Sequence, residues 1–314
     1  MAITNFCELL EAVKDVPAQR VAVAAANSDV VIGGVKAALE QAVATPILFG
    51  DARKIADLSE REGLDLGAVE VVDEPNELMA TARAVAAVRE GRANILMKGQ
   101  VHTDDFLRAV LDPDNGLRTG LLMSHVFILE ATSLGRLLFV TDGAMNIAPD
   151  LQQKAQIVLN AVYLARVFGV ECPKVAAVAA VELVNPKMPA TLDAAALAAM
   201  QSRGQFPYGI VDGPFGMDNA VSPRAAQIKG IGGPVAGQCD ILLVPDIEAG
   251  NILVKTFAFL AGGRVAGVLV GAAAPVVLTS RADTAEARLF SLAAAVLMAG
   301  MSRDGRFKVG RIHY

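Results

Sequence analysis

Short apolar runs alternate with longer stretches of helical period along most of this chain. The runs predict strands at Arg20–Ala25, Pro46–Gly50, Val69–Val72, Asn94–Met97, Leu121–Leu129, Leu137–Thr141, Val175–Val181, Gly209–Val211, Asp240–Val244, Val265–Val270 and Val276–Leu278. Ala/Leu-rich stretches at Asp29–Ala44, Asn76–Glu90, Leu151–Phe168 and Asp283–Met298 predict helices between them. Continuous apolar strands separated by helices predict an α/β fold with a mainly parallel sheet covered on both faces. Leu121–Leu129 and Leu137–Thr141 are too close for a crossover and predict a hairpin turning at Thr132–Gly135. That hairpin interrupts the alternation and marks a boundary between two α/β units. No solenoid-type repeat and no low-complexity linker divides the chain. The polar segment Met301–Tyr314 predicts a surface tail or a final short strand.

Composition narrows the class. The 314 residues, 54% hydrophobic and 19% charged, suit two domains or one large one and exclude disorder. A net charge of −5 argues against nucleic acid, which needs a basic face. The longest uncharged run, Val265–Ser280, contains Gly267, Gly271 and Pro275 and is too short for a spanning helix, so it predicts two buried strands joined by a turn. Glu8, Glu11, Lys14 and Asp15 interrupt any signal-peptide pattern. Three scattered cysteines, Cys7, Cys172 and Cys239, fit a reducing cytoplasm, and no Cys/His cluster has zinc-ligand spacing.

In open α/β sheets ligands bind at the carboxyl ends of strands, so the candidate residues are those just after the apolar runs. The familiar nucleotide and hydrolase motifs are absent there: no GxGxxG follows the first strand, and there is no GxxxxGK[ST], GxSxG or HExxH. Five polar clusters stand out instead. Lys98 and Gly99 precede His102, Thr103, Asp104, Asp105 and Arg108; a cation, free amides and a helix capped by Thr103 would suit phosphate, although a capped surface helix accounts for the same residues. Thr279-Ser280-Arg281-Ala282-Asp283-Thr284-Ala285-Glu286 reads as a capping box opening a helix. Arg281 fits that reading poorly, because a cation opposes the dipole of a first turn, and becomes sensible against an anion. Asp142 to Asn146, Asp212 with Asp218, and Asp246 to Asn251 place acids at strand-to-helix junctions, where helix capping alone would also explain them. His125 reads as a satisfied core histidine and Cys239 as an inert thiol.

Taken in order, these stretches resemble the phosphate acetyltransferase and phosphate butyryltransferase family. The resemblance spans about Ile95 to Ala299 and rests on Leu96-Met97-Lys98-Gly99, Asp105-Phe106-Leu107-Arg108, Gly116-Leu117-Arg118-Thr119-Gly120, Ser124-His125, Thr141–Asn146, Asn185–Thr191, Val211–Pro214, Pro234–Gly237, Pro245–Asn251 and Leu278–Asp283. The LMKG, GLRTG and NPKMPAT wording is closer to the butyryl branch than to the acetyl branch. The resemblance implies reversible transfer of a short acyl group, acyl-CoA plus phosphate giving acyl phosphate plus CoA. It implies a two-domain, three-layer α/β/α fold similar to isocitrate and isopropylmalate dehydrogenases, with the active site in the interdomain cleft. Residues 1–124 and 267–314 would form the first domain and 125–266 the second. A homodimer or larger homo-oligomer is expected, with coenzyme A as a substrate, no permanently bound cofactor, no metal, no nucleic acid and no membrane.

By resemblance Ser280 and Arg281 lie at the reacting centre, with Arg281 on the phosphoryl or carbonyl oxygens and Ser280 donating to the transition state. Arg108 corresponds to a substrate arginine, and Lys98, Thr103, Asp142, Asp246 and Asn251 are expected to contact CoA or phosphate. One departure stands out. The acetyl branch carries its proposed base, an aspartate, seven residues beyond the serine, where this chain has Ala287. Glu286 is expected to take that role, with Asp283 as the alternative, the two lying three apart on one helix face. A metal- and nicotinamide-dependent decarboxylating dehydrogenase of the same fold, with Asp142, Asp218 and Asp246 around a cation, is the competing enzyme class, and a non-catalytic CoA or acyl-phosphate binding module is a third.

Overall fold

The structure is a computed structural model that describes residues 2–280, 283–303 and 309. The chain divides into two compact units, one of Phe6–Leu121 with residues 266–303, the other of residues 2–5 with Leu122–Val265. Strands and helices are numbered in chain order.

The first unit holds strands β1 (Arg20–Ala24), β2 (Thr45–Gly50), β3 (Glu70–Asp73) and β4 (Ile95–Lys98), joined by β10 (Val265–Val270) and β11 (Val276–Val277). Their order is β3-β2-β1-β4-β11-β10. Every neighbouring pair is parallel except β10 and β11, which form the tight turn expected between Val265 and Ser280. Its helices are α1 (Phe6–Ala12), α2 (Asp29–Glu40), α3 (Ala52–Glu62), α4 (Glu77–Arg89), α5 (Thr103–Val110) and α11 (Ala285–Arg303). β1 and β2 are buried almost throughout, which is why their sequences read as unbroken apolar runs. Three crossover helices start on side chains that satisfy their orphan amides: Ser28 accepts from Val31, Asp51 from Arg53 and Lys54, and Asn76 from Leu78 and Met79.

The second unit holds β5 (Ser124–Ala131), β6 (Arg136–Thr141), β7 (Lys174–Val178), β8 (Ile210–Phe215) and β9 (Ile241–Leu243) in the order β5-β6-β9-β7-β8. β5 and β6 make the antiparallel hairpin, turning through Thr132–Leu134 and a left-handed Gly135. The remaining pairs are parallel. Its helices are α6 (Leu151–Val167), α7 (Pro189–Ser202), α8 (Met217–Val221), α9 (Pro223–Ile228) and α10 (Ile247–Lys255). α6 opens on the reciprocal pair Asp150 and Gln153, a full capping box.

Several boundaries differ from the sequence reading. β5 begins at Ser124 because Leu122 and Met123 spend their carbonyls on the Asn160 and Asn146 side chains. β8 runs on through Asp212, Gly213 and Pro214, which therefore lie inside a strand. Met301 to Arg303 close α11, and the rest of the polar tail, apart from Val309, lies outside the described residues. Among the described residues no helix is long and apolar enough to cross a membrane.

In the first unit the strand order reverses between β1 and β4, since β2 and β3 lie on one side of β1 and β4 on the other. The exits of β1 and β4 are tied together there: Gly99 N–H donates to Ala24 O at 2.8 Å and Gln100 N–H to Ala25 O at 2.7 Å. A Cβ at Gly99 would lie 2.3 Å from Ala24 O and 2.4 Å from Ala25 O. Gly99→Ala is expected to destabilise the protein by about 3 kcal/mol, read as a lower urea midpoint. Gly232→Ala, where a Cβ meets nothing within 4 Å, is expected to change stability by less than about 0.5 kcal/mol. Equal midpoints for the two variants would refute the close approach.

Candidate active site

Parallel pairing builds the candidate cluster of the first unit. β11 lies beside β4 with Val276 opposite Leu96 and Val277 opposite Met97. Lys98-Gly99 and Leu278-Thr279-Ser280 therefore leave neighbouring strands at the same carboxyl edge, next to the strand-order reversal where open α/β sheets bind ligands. Lys98 is the last residue of β4, nearly fully buried, and its ammonium donates to Gly99 O at 3.3 Å.

The helix beyond Ser280 starts later than the capping signature predicts. Ser280 does not cap it; α11 begins at Ala285, and Thr284 Oγ1 accepts the Ala287 N–H at 3.1 Å. The Asp283 carboxylate instead turns back to take the Ser280 N–H at 2.6 Å, and Asp283 N–H returns to Ser280 O at 3.2 Å. Ser280 and Asp283 are thus bonded to each other in both directions. Asp283 precedes the helix, so it and Glu286, the exposed second residue of α11, do not share a helix face. Arg281 lies outside the described residues.

Sequence reasoning missed Arg288, which reads as one more arginine on an amphipathic helix. It is 3% exposed, Nη1 donates to Thr279 Oγ1, and Nη2 donates to Ser280 O at 2.8 Å. Burial pulls its guanidinium below the ordinary arginine value, opposed by the charge of Asp283.

Thr103 does not cap α5 either. The chain bends at Gln100 and Val101 and is extended at His102, so Thr103 becomes the first helical residue, and His102 supplies no side-chain cap. Arg108 is exposed on the same helix and pairs with Asp105 at 2.7 Å.

The second unit gathers Asp142, Asp246 and Asn251. β6 and β9 are parallel neighbours, with Thr141 opposite Leu243, so Asp142 and Asp246 follow adjacent strands. Asp142 is 2% exposed, and its carboxylate accepts backbone N–H groups from His125, Ala144, Met145 and Asn146 and the Asn146 side-chain amide at 2.6 Å. Asp246 caps α10 through Ala249 N–H at 2.9 Å. Asn251 donates to Gly143 O at 3.1 Å, across a contact so close that a Cβ on Gly143 or Gly250 would lie 2.7 Å from the other glycine's backbone. The acids at these junctions work as loop-building groups. Asp218, the third carboxylate of the dehydrogenase reading, sits in a surface network with Lys229 and Glu182, where Lys229 lowers both carboxyls. Among the described residues no cluster of His, Cys, Asp and Glu is arranged to hold a metal.

His125 is buried as expected, but it is not satisfied: neither ring nitrogen has a hydrogen-bond partner among the described residues. Its ring packs on Phe127 at 4.2 Å between centroids. Burial pushes the imidazole down to about 4, against the charge of Asp142, which favours the protonated form. Cys239 is buried, and desolvation pushes its thiol up to about 12, which leaves it inert.

The unfolded chain titrates His125 near its ordinary 6.5, so between pH 6.5 and 4 it binds a proton that the folded chain refuses. Stability carried by the neutral ring is complete above pH 6.5 and lost as pH falls toward 4, at up to about 1.4 kcal/mol per pH unit. His125→Phe is expected to flatten that stretch of the urea midpoint against pH. Parallel wild-type and variant curves would refute the assignment.

Comparison with known proteins places this geometry. The sequence profile of the family described as Phosphate acetyl/butaryl transferase matches residues 74–296. A phosphate butyryltransferase of Clostridium acetobutylicum is 46% identical over 298 residues, 95% of this chain and 99% of the relative. A phosphate acetyltransferase of Rhizobium meliloti is 47% identical over 272 residues, 87% of this chain and 86% of the relative. The crystal structure of a branched-chain phosphotransacylase from Enterococcus faecalis superimposes with a TM-score of 0.79 at 33% identity, covering 90% of this chain and 99% of that one. With these matches running through the strand exits that carry Lys98, Asp142, Asp246 and Ser280, the chain belongs to the phosphate acetyl/butyryl transferase family.

Proposed function

We propose that this protein moves a short acyl group between coenzyme A and inorganic phosphate, with a four-carbon acyl group preferred and acetyl as the alternative. The observation that carries the reading is the parallel pairing of β11 with β4, which brings the Ser280 segment beside Lys98 at the strand-order reversal. A buried ammonium at one strand exit and an arginine-held segment at the neighbouring one suit an oxyanion and a departing phosphate.

In the direction of CoA acylation, the thiol loses its proton and the thiolate sulfur attacks the acyl-phosphate carbonyl carbon. The C–S bond forms, the tetrahedral oxyanion collapses, the C–O bond to phosphate breaks, and phosphate departs with the bonding pair. Ser280 donates to the developing oxyanion, and Arg281 is assigned to the phosphoryl or carbonyl oxygens. Glu286 takes the thiol proton; Asp283 is the second choice for that role, its carboxylate already holding the Ser280 N–H. Lys98, Arg108, Thr103, Asp142, Asp246 and Asn251 are assigned to CoA and phosphate, the last three also shaping the loops that carry them. The first unit, extended to 1–124 and 267–314, and the second, 125–266, are read as two domains of a cytoplasmic homodimer or larger homo-oligomer.

Phosphate-dependent CoA release from acetyl-, propionyl-, butyryl- and isobutyryl-CoA, followed with a thiol reagent, tests the reaction. Release that requires phosphate and peaks at four carbons is expected; a peak at two carbons keeps the chemistry and shifts the substrate to acetyl. Absence of phosphate-dependent release from all four would refute the reaction. Glu286→Gln is expected to lower kcat on the order of 10²-fold or more, the usual worth of a general base, and an unchanged rate would remove Glu286 from that role.

A further inference from the structure

We infer that Arg288 is a positioning residue that fixes the Thr279–Ser280 segment from beneath, through its guanidinium bonds to Thr279 Oγ1 and Ser280 O. The inference rests on the reading of Ser280 and Arg281 as the reacting pair. The carbonyl that Arg288 holds is the one bonded to the Arg281 nitrogen, so a single guanidinium grips the chain at the join between those two residues.

Three observations support the assignment. First, the position is costly. A guanidinium with 3% exposure loses most of its hydration, its Nε has no partner among the described residues, and no ion pair within 4.0 Å offsets that loss among them. Burying a charge of this kind is a poor route to stability, because a well-packed apolar side chain usually does as well or better. Second, the surroundings are cut to receive it. Gly34 of α2 faces the arginine stem, and a Cβ there would lie 3.2 Å from Arg288 Cδ and 3.3 Å from Cβ. Third, the grip is two-sided. The Asp283 carboxylate takes the Ser280 N–H while Arg288 takes the Ser280 carbonyl, so both backbone polar groups of Ser280 are held by charged side chains. Hydrogen bonds to charged groups are the stronger class, and the planar fork of arginine fixes two acceptors at once, where a lysine offers a point charge.

The test uses the full-length protein and the phosphate-dependent CoA release assay. Arg288→Met is expected to keep the KM for phosphate and acyl-CoA within about twofold, because no substrate contact is removed, and to lower kcat on the order of 10²-fold, the cost of a roughly 1 Å misplacement of a reacting group. Arg288→Lys is expected to recover part of the loss, and Thr279→Val, which removes one of the two acceptors, to lower kcat about tenfold. Urea midpoints measured alongside identify a variant that has simply unfolded. Wild-type kcat in Arg288→Met, or a loss of activity that follows the folded fraction alone, overturns the inference while leaving the reaction in place. Absence of release by the wild-type protein overturns the reaction itself and this role with it.

Discussion

Two residues of β11, Val276 and Val277, pair with Leu96 and Met97 of β4, and the candidate site depends on that register. β11 is too short to hold itself, and a slip of one residue would turn Ser280 to the opposite face of the sheet. The turn before it is therefore clamped from outside. Thr119 Oγ1 donates to Gly271 O at 2.6 Å, Ala273 N–H to Leu117 O at 2.8 Å, Leu96 N–H to Pro275 O at 3.1 Å, and Arg118 bridges Ala272. The Gly-Leu-Arg-Thr-Gly run, one of the stretches that carry the family resemblance, is a register device for the strand that leads to Ser280.

The same economy governs the buried polar groups, which collect at strand exits. Asp142 is almost fully buried, yet four backbone amides and one side-chain amide offset the desolvation of its charge. Arg288 meets a hydroxyl and a carbonyl. The His125 ring nitrogens have no hydrogen-bond partner among the described residues, and the ring stays neutral instead. The surface network of Lys229 with Glu182 and Asp218 contrasts with these. Its contacts run to 3.2 and 3.1 Å, and solvent screening leaves such exposed pairs little net worth. The costly groups are the ones that fix the loops bearing the candidate site residues.

Most elements were legible in the sequence because a strand buried on both faces cannot hide: Val21–Ala24 and Ile47–Phe49 have to be apolar. The helices beginning near Asp29, Asn76 and Leu151 were legible from their Ala/Leu-rich period, and the structure starts them on Ser28, Asn76 and Asp150, short oxygen-bearing side chains where orphan amides need one; the helix after Asp51 went unread. Ser280 with Asp283 carries the same signature and misleads, because a carboxylate that reaches back three residues to an N–H serves a turn as well as a helix cap. Arg288 was illegible because its burial is decided by Gly34, far away in the chain. The pairing of β11 with β4 was illegible for the same reason, since strand order is a non-local property that no window of sequence contains.

Position 287 shows how the fold constrains the chemistry. The acetyl branch would carry an acid there, and this chain carries alanine with both backbone groups engaged. Its N–H is taken by the Thr284 cap at 3.1 Å, and its carbonyl accepts the Ser291 hydroxyl at 2.7 Å. Ser291 Oγ in turn accepts Gly267 N–H of β10 at 3.0 Å. Residue 287 thus pins α11 to the sheet through its backbone and leaves its side chain out of the reaction. Moving the acid one position back, to Glu286, turns it by about 100° around the helix axis. In the proposed mechanism the base therefore leaves the helix at a different azimuth from an acid at 287, while the Asp283 carboxylate is already engaged with the Ser280 N–H. The proposed mechanism thereby divides proton removal and the fixing of Ser280 between two acids on either side of the helix start, Glu286 and Asp283.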